Sequence, residues 1–266
     1  MAEPTSRQLV TRLRAGQFSQ AEDELAEEVP VALEYNGVSH AVMMATPRDL
    51  DDFALGFSLS EGIVGSAREF YGAEVEHGIG GITVHIDIAS AAFARLKDRR
   101  RNMSGRTGCG LCGVDSLEQV LRPLPWLAPS RALSARAIRQ ALAAVKAHQP
   151  VNRITGATHA ALWCDRNGDP VAAFEDVGRH NALDKLIGSR SRMCAEAGDG
   201  FALITSRASV EMVQKAATAG ISALVAISAP TALAARTAQQ CGMTLVAFAR
   251  GDGFVAYAHG VNIVLD

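Results

Sequence analysis

In residues 81–89, GITVHIDIA, apolar side chains return at every second position. Ile82, Val84, Ile86 and Ile88 alternate with Thr83, His85 and Asp87, which predicts a strand with one buried and one wet face. Upstream, the run VALEY, the pair Asn36-Gly37 and the run VSHAVMMAT predict a hairpin, because Asn-Gly accepts the positive φ angles of a two-residue turn. Another strand precedes Gly80-Gly81. Thr46, Pro47 and Asp49 open a helix through LDDFALGFSLSE, with Gly62 as its stop. Residues 89–101 continue as a helix that ends in a basic tract. Residues 1–28 read as a polar, loosely held lead-in.

The second half has a different rhythm. Ser134 caps an alanine-rich helix that runs to about Pro150. The strands THAALWC and PVAAFED flank the turn NGD. Helices and strands then alternate: GRHNALDKLIG, FALIT, SVEMVQKAATAG, ALVAIS, PTALAARTAQQCG and TLVAFAR. Strands alternating with helices of this length predict βαβ units and a largely parallel sheet. The expected class is α/β. It comprises an N-terminal α+β subdomain at 29–100, a mobile cysteine loop at 101–116 and an α/β core at 117–266.

With 266 residues, 48% hydrophobic and only 5% aromatic, the chain is long enough for a buried core of small aliphatic residues. A net charge of −2 argues against nucleic acid as a partner, so any basic feature is local. No stretch approaches about 18 consecutive apolar residues, so no membrane span is expected. The N-terminus has no apolar run of signal-peptide length, and the cysteines at 164, 194 and 241 are scattered and make no disulfide framework. The expected location is therefore the cytoplasm.

Two cysteines do stand close, in TGCGLCGVDS at 107–116. Arg95, Lys97, Arg99, Arg100, Arg101 and Arg106 lead up to them. A closed zinc site needs four ligands, and neither His85 nor Cys164 stands at a ligand-like spacing from this single CxxC. His85-Ile86-Asp87 resembles half of a zinc deaminase signature, but its acid is Asp and no proline precedes Cys109. A thioredoxin-like pair would open a helix directly after a strand, whereas Gly108, Gly110 and Gly113 make a permissive loop. A nucleophile remains. Nearby cations favour the thiolate, and a second cysteine can resolve or modulate the first. Two ordinary surface thiols are the plain alternative.

In open α/β sheets, ligands bind beyond the carboxyl ends of the strands. Four such ends carry polar groups here. One holds Asp176, Arg179, His180 and Asn181, another Thr205, Ser206 and Arg207, a third Ser228. The last is the stretch Phe248, Ala249, Arg250, Gly251, Asp252 and Gly253. In a parallel sheet these ends share one rim, whose arginines and helix N-termini suit phosphates. Asp176 would then meet ring or ribose donors. Each segment alone has a structural reading, with Ser209 and Thr231 as helix caps and Asp176–Arg179 as a local ion pair. His159 and His180 read equally as core histidines or proton-transfer groups. No P-loop pattern is present.

The strings TGCGLCG, TGATHAALW, EDVGRHNALDKLIG, SRASVEMVQKAATAGI, AISAPTALA and TLVAFARGDG follow one another along most of the chain. Together they resemble the FdhD family, the formate dehydrogenase accessory sulfurtransferases. The resemblance implies a cytidine deaminase-like three-layer core without zinc. It implies a sulfur carrier that takes sulfur from a cysteine desulfurase as a persulfide on Cys109, with Cys112 auxiliary. The recipient would be the molybdenum cofactor in its bis-guanine-dinucleotide form, before insertion into the formate dehydrogenase apoenzyme. The stretch 248–253 matches the family's cofactor-binding segment, GDP would serve as a fragment of the cofactor, and a cytoplasmic homodimer is expected. Two functions of other classes stay open: a cofactor-insertion chaperone without sulfur chemistry, and a zinc-dependent deaminase-like enzyme.

Overall fold

The structure is a computed structural model that describes residues 3–104, 123–128, 132–193 and 199–265. Cys109 and Cys112, with most of the segment 101–116, lie outside these residues. The expected loose lead-in is instead a hairpin. Strands β1 (Thr5–Arg14) and β2 (Gln17–Ala26) pair antiparallel. They turn at Ala15-Gly16, both with positive φ, as a two-residue hairpin requires.

The N-terminal subdomain follows. Strands β3 (Val29–Tyr35) and β4 (Val38–Ala45) turn at Asn36-Gly37, again both with positive φ. Helix α1 (Leu50–Ser60) then precedes β5 (Phe70–Gly78), β6 (Gly81–Ile88) and helix α2 (Ser90–Ser104). The sheet order is β4-β3-β6-β5. As the alternation predicts, Ile82, Val84, Ile86 and Ile88 are buried, and they pack with Val31, Leu33, Phe53 and Phe57. Each such side chain stabilises the fold by about 1.5–3 kcal/mol when fully buried.

The start of α1 departs from expectation. Its N-cap is Asp49, with φ 55°, and not Thr46. Thr46 is drawn away by partners 130 residues along the chain. Its N–H donates to Asp176 Oδ2 at 3.1 Å, and its hydroxyl accepts from Val177 N at 3.1 Å.

In the core, the short strand β7 (Leu133–Ser134) leads into α3 (Ala135–Ala144), where Ser134 Oγ accepts from Ala137 N at 3.1 Å. The helix tightens into a 3-10 turn at Val145–His148 and ends near Pro150, as expected, where the short helix α4 (Pro150–Thr155) begins. Then come β8 (His159–Asp165), β9 (Pro170–Asp176), α5 (Arg179–Arg192), β10 (Gly200–Ile204), α6 (Val210–Thr218), β11 (Ala223–Ala226), α7 (Ala232–Cys241), β12 (Thr244–Arg250), β13 (Gly253–Ala258) and β14 (Ile263–Val264). The main sheet has the order β13-β12-β11-β10-β8-β9. Leu183, Leu186, Met212, Val213 and Ala234 cover one face of it. Ile138, Ala141 and Val145 cover the other, giving three layers.

The sheet is mixed, which corrects the largely parallel expectation. Only β10–β11 and β11–β12 run parallel. Strand β8 enters between β9 and β10 in the opposite sense. Apolar periodicity marks a strand without fixing its direction. Two reversals nevertheless restore β9 to the sense of β10, β11 and β12, so all four carboxyl ends point the same way.

Helix α5 joins the two subdomains by crossing α1. A Cβ on Gly56 would strike the backbone of Asp184, and one on Gly188 would strike the backbone of Asp52. Two buried lysine–carboxylate pairs fix this joint. Lys185 Nζ lies 2.6 Å from Asp176 Oδ2, with no exposed surface on either side chain, and donates to Thr46 O at 3.1 Å. Lys215 Nζ reaches Asp184 Oδ2 at 2.9 Å, Glu61 Oε1 at 2.7 Å and Ser60 Oγ at 3.0 Å. Burial works against the Lys215 ammonium, but Asp184 and Glu61 outweigh it and hold its pKa above the ordinary value.

Candidate functional site

Register brings the strand ends together. Asp176 lies beside His159, Ile204 beside both Ala161 and Ala226, and Arg250 beside Gly253. The loops beyond β10 and β11 are knitted to each other. Ala208 N donates to Ala229 O at 3.1 Å, and Thr231 N to Ala208 O at 3.0 Å. Phe248 N donates to Ser228 O at 3.1 Å, which ties β12 to the same edge. Arg179, His180, Thr205, Ser206, Arg207, Ser228 and residues 248–253 therefore share one rim.

Several features give this rim a positive character. Helices α5 and α6 start here, and their N-caps, Gly178 and Ser209, make no side-chain cap bond. Uncapped N–H groups and the helix dipole both favour an anion. Arg207 and Arg250 are exposed and carry no ion pair among the described residues. The buried Nε of Arg179 has no hydrogen-bond partner. His180 Nε2 stands 3.4 Å from Glu211 Oε2, too poorly aimed for a good hydrogen bond. Burial and then Arg179 push both His159 and His180 below the ordinary 6.5, against the opposing pull of Asp176 and Glu211 respectively. Both imidazoles are thus neutral near pH 7. Burial alone would raise Glu211, but the Ser209 hydroxyl, His180 and Arg179 hold it below its usual range.

An aromatic corner completes the rim. Phe248 has φ 50°, uncommon for a residue with a side chain, at a bulge between Ala247 and Arg250. Bulges re-aim side chains, and Phe248 is 36% exposed. Tyr257 lies 6.4 Å from it and the Arg250 guanidinium 5.7 Å. The corner offers a planar face and a cation side by side.

Some expected ligand groups turn inward, and these are corrections. Asp176 has no exposed surface. Besides Lys185 and Thr46, it accepts from Gly178 N at 2.8 Å and Asn181 Nδ2 at 3.0 Å. No acceptor capacity is left for a ring or ribose donor, and no Asp176–Arg179 pair forms. Asn181 is 2% exposed and donates to Met44 O at 2.8 Å. Ala249 is fully buried, so only its backbone borders the rim. Thr205 Oγ1 accepts from Ala160 N at 2.9 Å, and the Ser206 hydroxyl donates to Arg207 O at 3.1 Å. Both hydroxyls brace the loop.

The sequence reading assigned nothing to Asp184, Lys185 or Lys215, which carry the joint behind the rim. A usable signal existed: Asp184-Lys185 falls inside the apolar stretch of a helix flanked by strands, where one helical face alone cannot be wet. The basic tract is partly committed to its own subdomain. Arg95 pairs with Glu69 at 2.9 Å, Lys97 lies over the Phe93 ring at 4.7 Å, and Arg99 reaches Glu61 O at 3.4 Å. His85 lies on β6 with its ring between Glu34 and Glu76, at 3.4 and 2.8 Å. It is a wet-face histidine.

Fold and rim define the class: a three-layer α/β core with a cationic edge, joined to an α+β subdomain, with a CxxC between them in sequence. The chain belongs to the FdhD/NarQ family, whose model matches residues 26–264. Relatives named sulfur carrier protein FdhD include one from Variovorax paradoxus, 53% identical, covering 94% of this chain and 90% of the relative. Another, from Bordetella bronchiseptica, is 52% identical over 96% of this chain and 93% of its own. A crystal structure described as a formate dehydrogenase accessory protein from Desulfotalea psychrophila superposes with a TM-score of 0.78. It is 23% identical and covers 98% of this chain and all of its own, which shows a shared fold.

Proposed function

We propose that this protein is a sulfur carrier required for formate dehydrogenase activity. The observation that carries this reading is 53% identity to a sulfur carrier protein over 94% of the chain, with the CxxC in the sequence. Cys109 thiolate attacks the terminal sulfur of a cysteine desulfurase persulfide. The desulfurase cysteine leaves as thiolate, and a persulfide remains on Cys109. Cys112 is the auxiliary thiol. The recipient is the molybdenum cofactor in its bis-guanine-dinucleotide form, held as cargo before it enters formate dehydrogenase.

The rim supports this cargo. Arg179, Arg207 and Arg250 suit its phosphates, as do the uncapped helix N-termini. The Phe248 ring suits a base. The three-layer core supports a cytidine deaminase-like ancestry, and the sparse cysteines support a cytoplasmic setting. No helix among the described residues is long and apolar enough to cross a membrane. A homodimer belongs to the same reading. The rim equally favours a chaperone that binds cofactor without sulfur chemistry, and one experiment separates the two. After incubation with desulfurase and cysteine, mass spectrometry should find one added sulfur on Cys109. If Cys109→Ala still restores formate dehydrogenase activity in a strain lacking the protein, sulfur transfer through Cys109 is wrong.

A further inference from the structure

A cavity opens at the end of the main sheet opposite the rim, where strands β10 and β11 begin at Gly200 and Ala223. Its volume is about 360 Å³, within the range of small-molecule sites. Leu133, Trp163, Arg166, Arg190, Gly200 and Ser222 line it. Arg190 belongs to the last turn of α5, about 16 Å along the helix from Arg179 at the rim.

Charge in this cavity is unbalanced. Arg166 pairs with Asp199, which leaves Arg190 without a counter-charge. The Arg190 guanidinium lies on the Trp163 ring, 4.3 Å from its centroid, and Nη1 donates to Ala219 O at 3.3 Å. Its buried Nε has no hydrogen-bond partner. Burial pushes the guanidinium below its ordinary pKa, and no carboxylate offsets the shift. A guanidinium nevertheless keeps its proton in a protein, so the charge stays in the wall of the cavity. The half-buried Ser222 hydroxyl also has no partner among the described residues. A cation braced on an aromatic ring, beside a spare hydroxyl, suits an anionic acceptor. Trp163 is only 2% exposed beneath it, so no ring face is left for a nucleobase.

We infer that this cavity binds a small oxyanion, a carboxylate or inorganic phosphate, with Arg190 as its cation and the Ser222 hydroxyl as a further donor. Carboxylate and phosphate offer a guanidinium fork the same pair of acceptor oxygens. The site is separate from the rim, because it lies at the other end of the sheet and takes a ligand without a base. Two anion sites then stand at the two ends of α5. The inference goes beyond the sulfur-carrier reading and depends on none of its chemistry.

Trp163 reports on the site directly, since Trp126 is the only other tryptophan of the chain and is 67% exposed. In the full chain carrying Trp126→Phe, inorganic phosphate and acetate are titrated separately against Trp163 fluorescence. Sodium chloride at matched ionic strength is the reference. At least one of the two should give a saturable change, half complete at or below about 1 mM, and raise the melting temperature. A response to phosphate alone makes this a phosphate site, and to acetate alone a carboxylate site. A response to both makes it a site that reads only the shared pair of oxygens. Arg190→Gln should weaken the response about tenfold or more. Ser222→Asp leaves Arg190 on its ring and supplies a fixed carboxylate, so it should abolish the response with the circular dichroism spectrum intact. Arg207→Ala, at the rim, should leave the response as it was. No saturable change with either anion, or the same curve with chloride, overturns the site. So does an undiminished response in Arg190→Gln or Ser222→Asp, or a response lost in Arg207→Ala.

Discussion

The joint and the rim share one stretch of chain, EDVGRHNALDK, and treat charge in opposite ways. At the joint every charge has a partner. Lys185 meets Asp176, and Lys215 meets Asp184 and Glu61, all within 2.9 Å. At the rim, Arg207 and Arg250 stand in water without an anion, and Arg179 hides an unpartnered Nε. The first set makes the fold sensitive to the loss of any one partner, because the charge left behind is buried. The second leaves cations free for the anionic cargo proposed above. Adjacent residues in one motif therefore answer to different pressures, and a substitution is judged by the side on which its side chain lies.

The largest effect should come at the joint. Lys185→Met strands the Asp176 carboxylate in a fully buried site, and breaking such a pair costs about 3–5 kcal/mol. Urea unfolding should show that loss. A change below about 1 kcal/mol would mean that the pair is not what holds the subdomains together. Asp176→Ala should fail in the same way, by destabilising the fold instead of selectively weakening GDP binding.

Arg207→Ala should reverse this pattern. Its stability should stay within about 0.5 kcal/mol of the original, since the side chain is exposed. GDP affinity, read by calorimetry, should fall about tenfold, or about 1.4 kcal/mol. Equal affinity would remove Arg207 from the cradle.

The smallest effect is a pH dependence. His159 and His180 titrate below 6.5 in the folded protein. The unfolded chain therefore takes up protons first as pH falls, and the stability these groups contribute is present above 6.5 and lost below it. A bound anion favours the imidazolium, so binding takes up protons. GDP affinity should rise as pH drops from about 7.5 to about 6. A flat profile would place both rings away from the phosphates.

Local pattern was readable wherever a face is buried. The alternation at 82–88 and the alanine-rich helices of the core follow from one-sided burial. The hairpin at 5–26 escaped because its apolar residues are sparse and divided between its two faces, Leu9, Leu13 and Phe18 on one and Val10 and Ala21 on the other, so no single buried stripe marks it. The direction of β8 escaped because periodicity is blind to it. Thr46 reads locally as a cap, and only the fold brings Asp176 to it. The rim could be placed from strand ends alone. Which of its residues face outward could not, because Asp176 and Asn181 look as available in sequence as Arg179 does.

Where α1 crosses α5, two backbones touch with only hydrogen between them, at Gly56 and Gly188. Side-chain contacts can be retuned by a change of rotamer, but a contact between backbones has a single setting. The crossing therefore works as a gauge that spaces the N-terminal sheet from the core whatever the surfaces around it become. Halves taken from divergent relatives should be interchangeable only where both glycines travel together with the buried partners that cross the joint, Thr46, Ser60 and Glu61 on one side and Asp176, Asp184, Lys185 and Lys215 on the other.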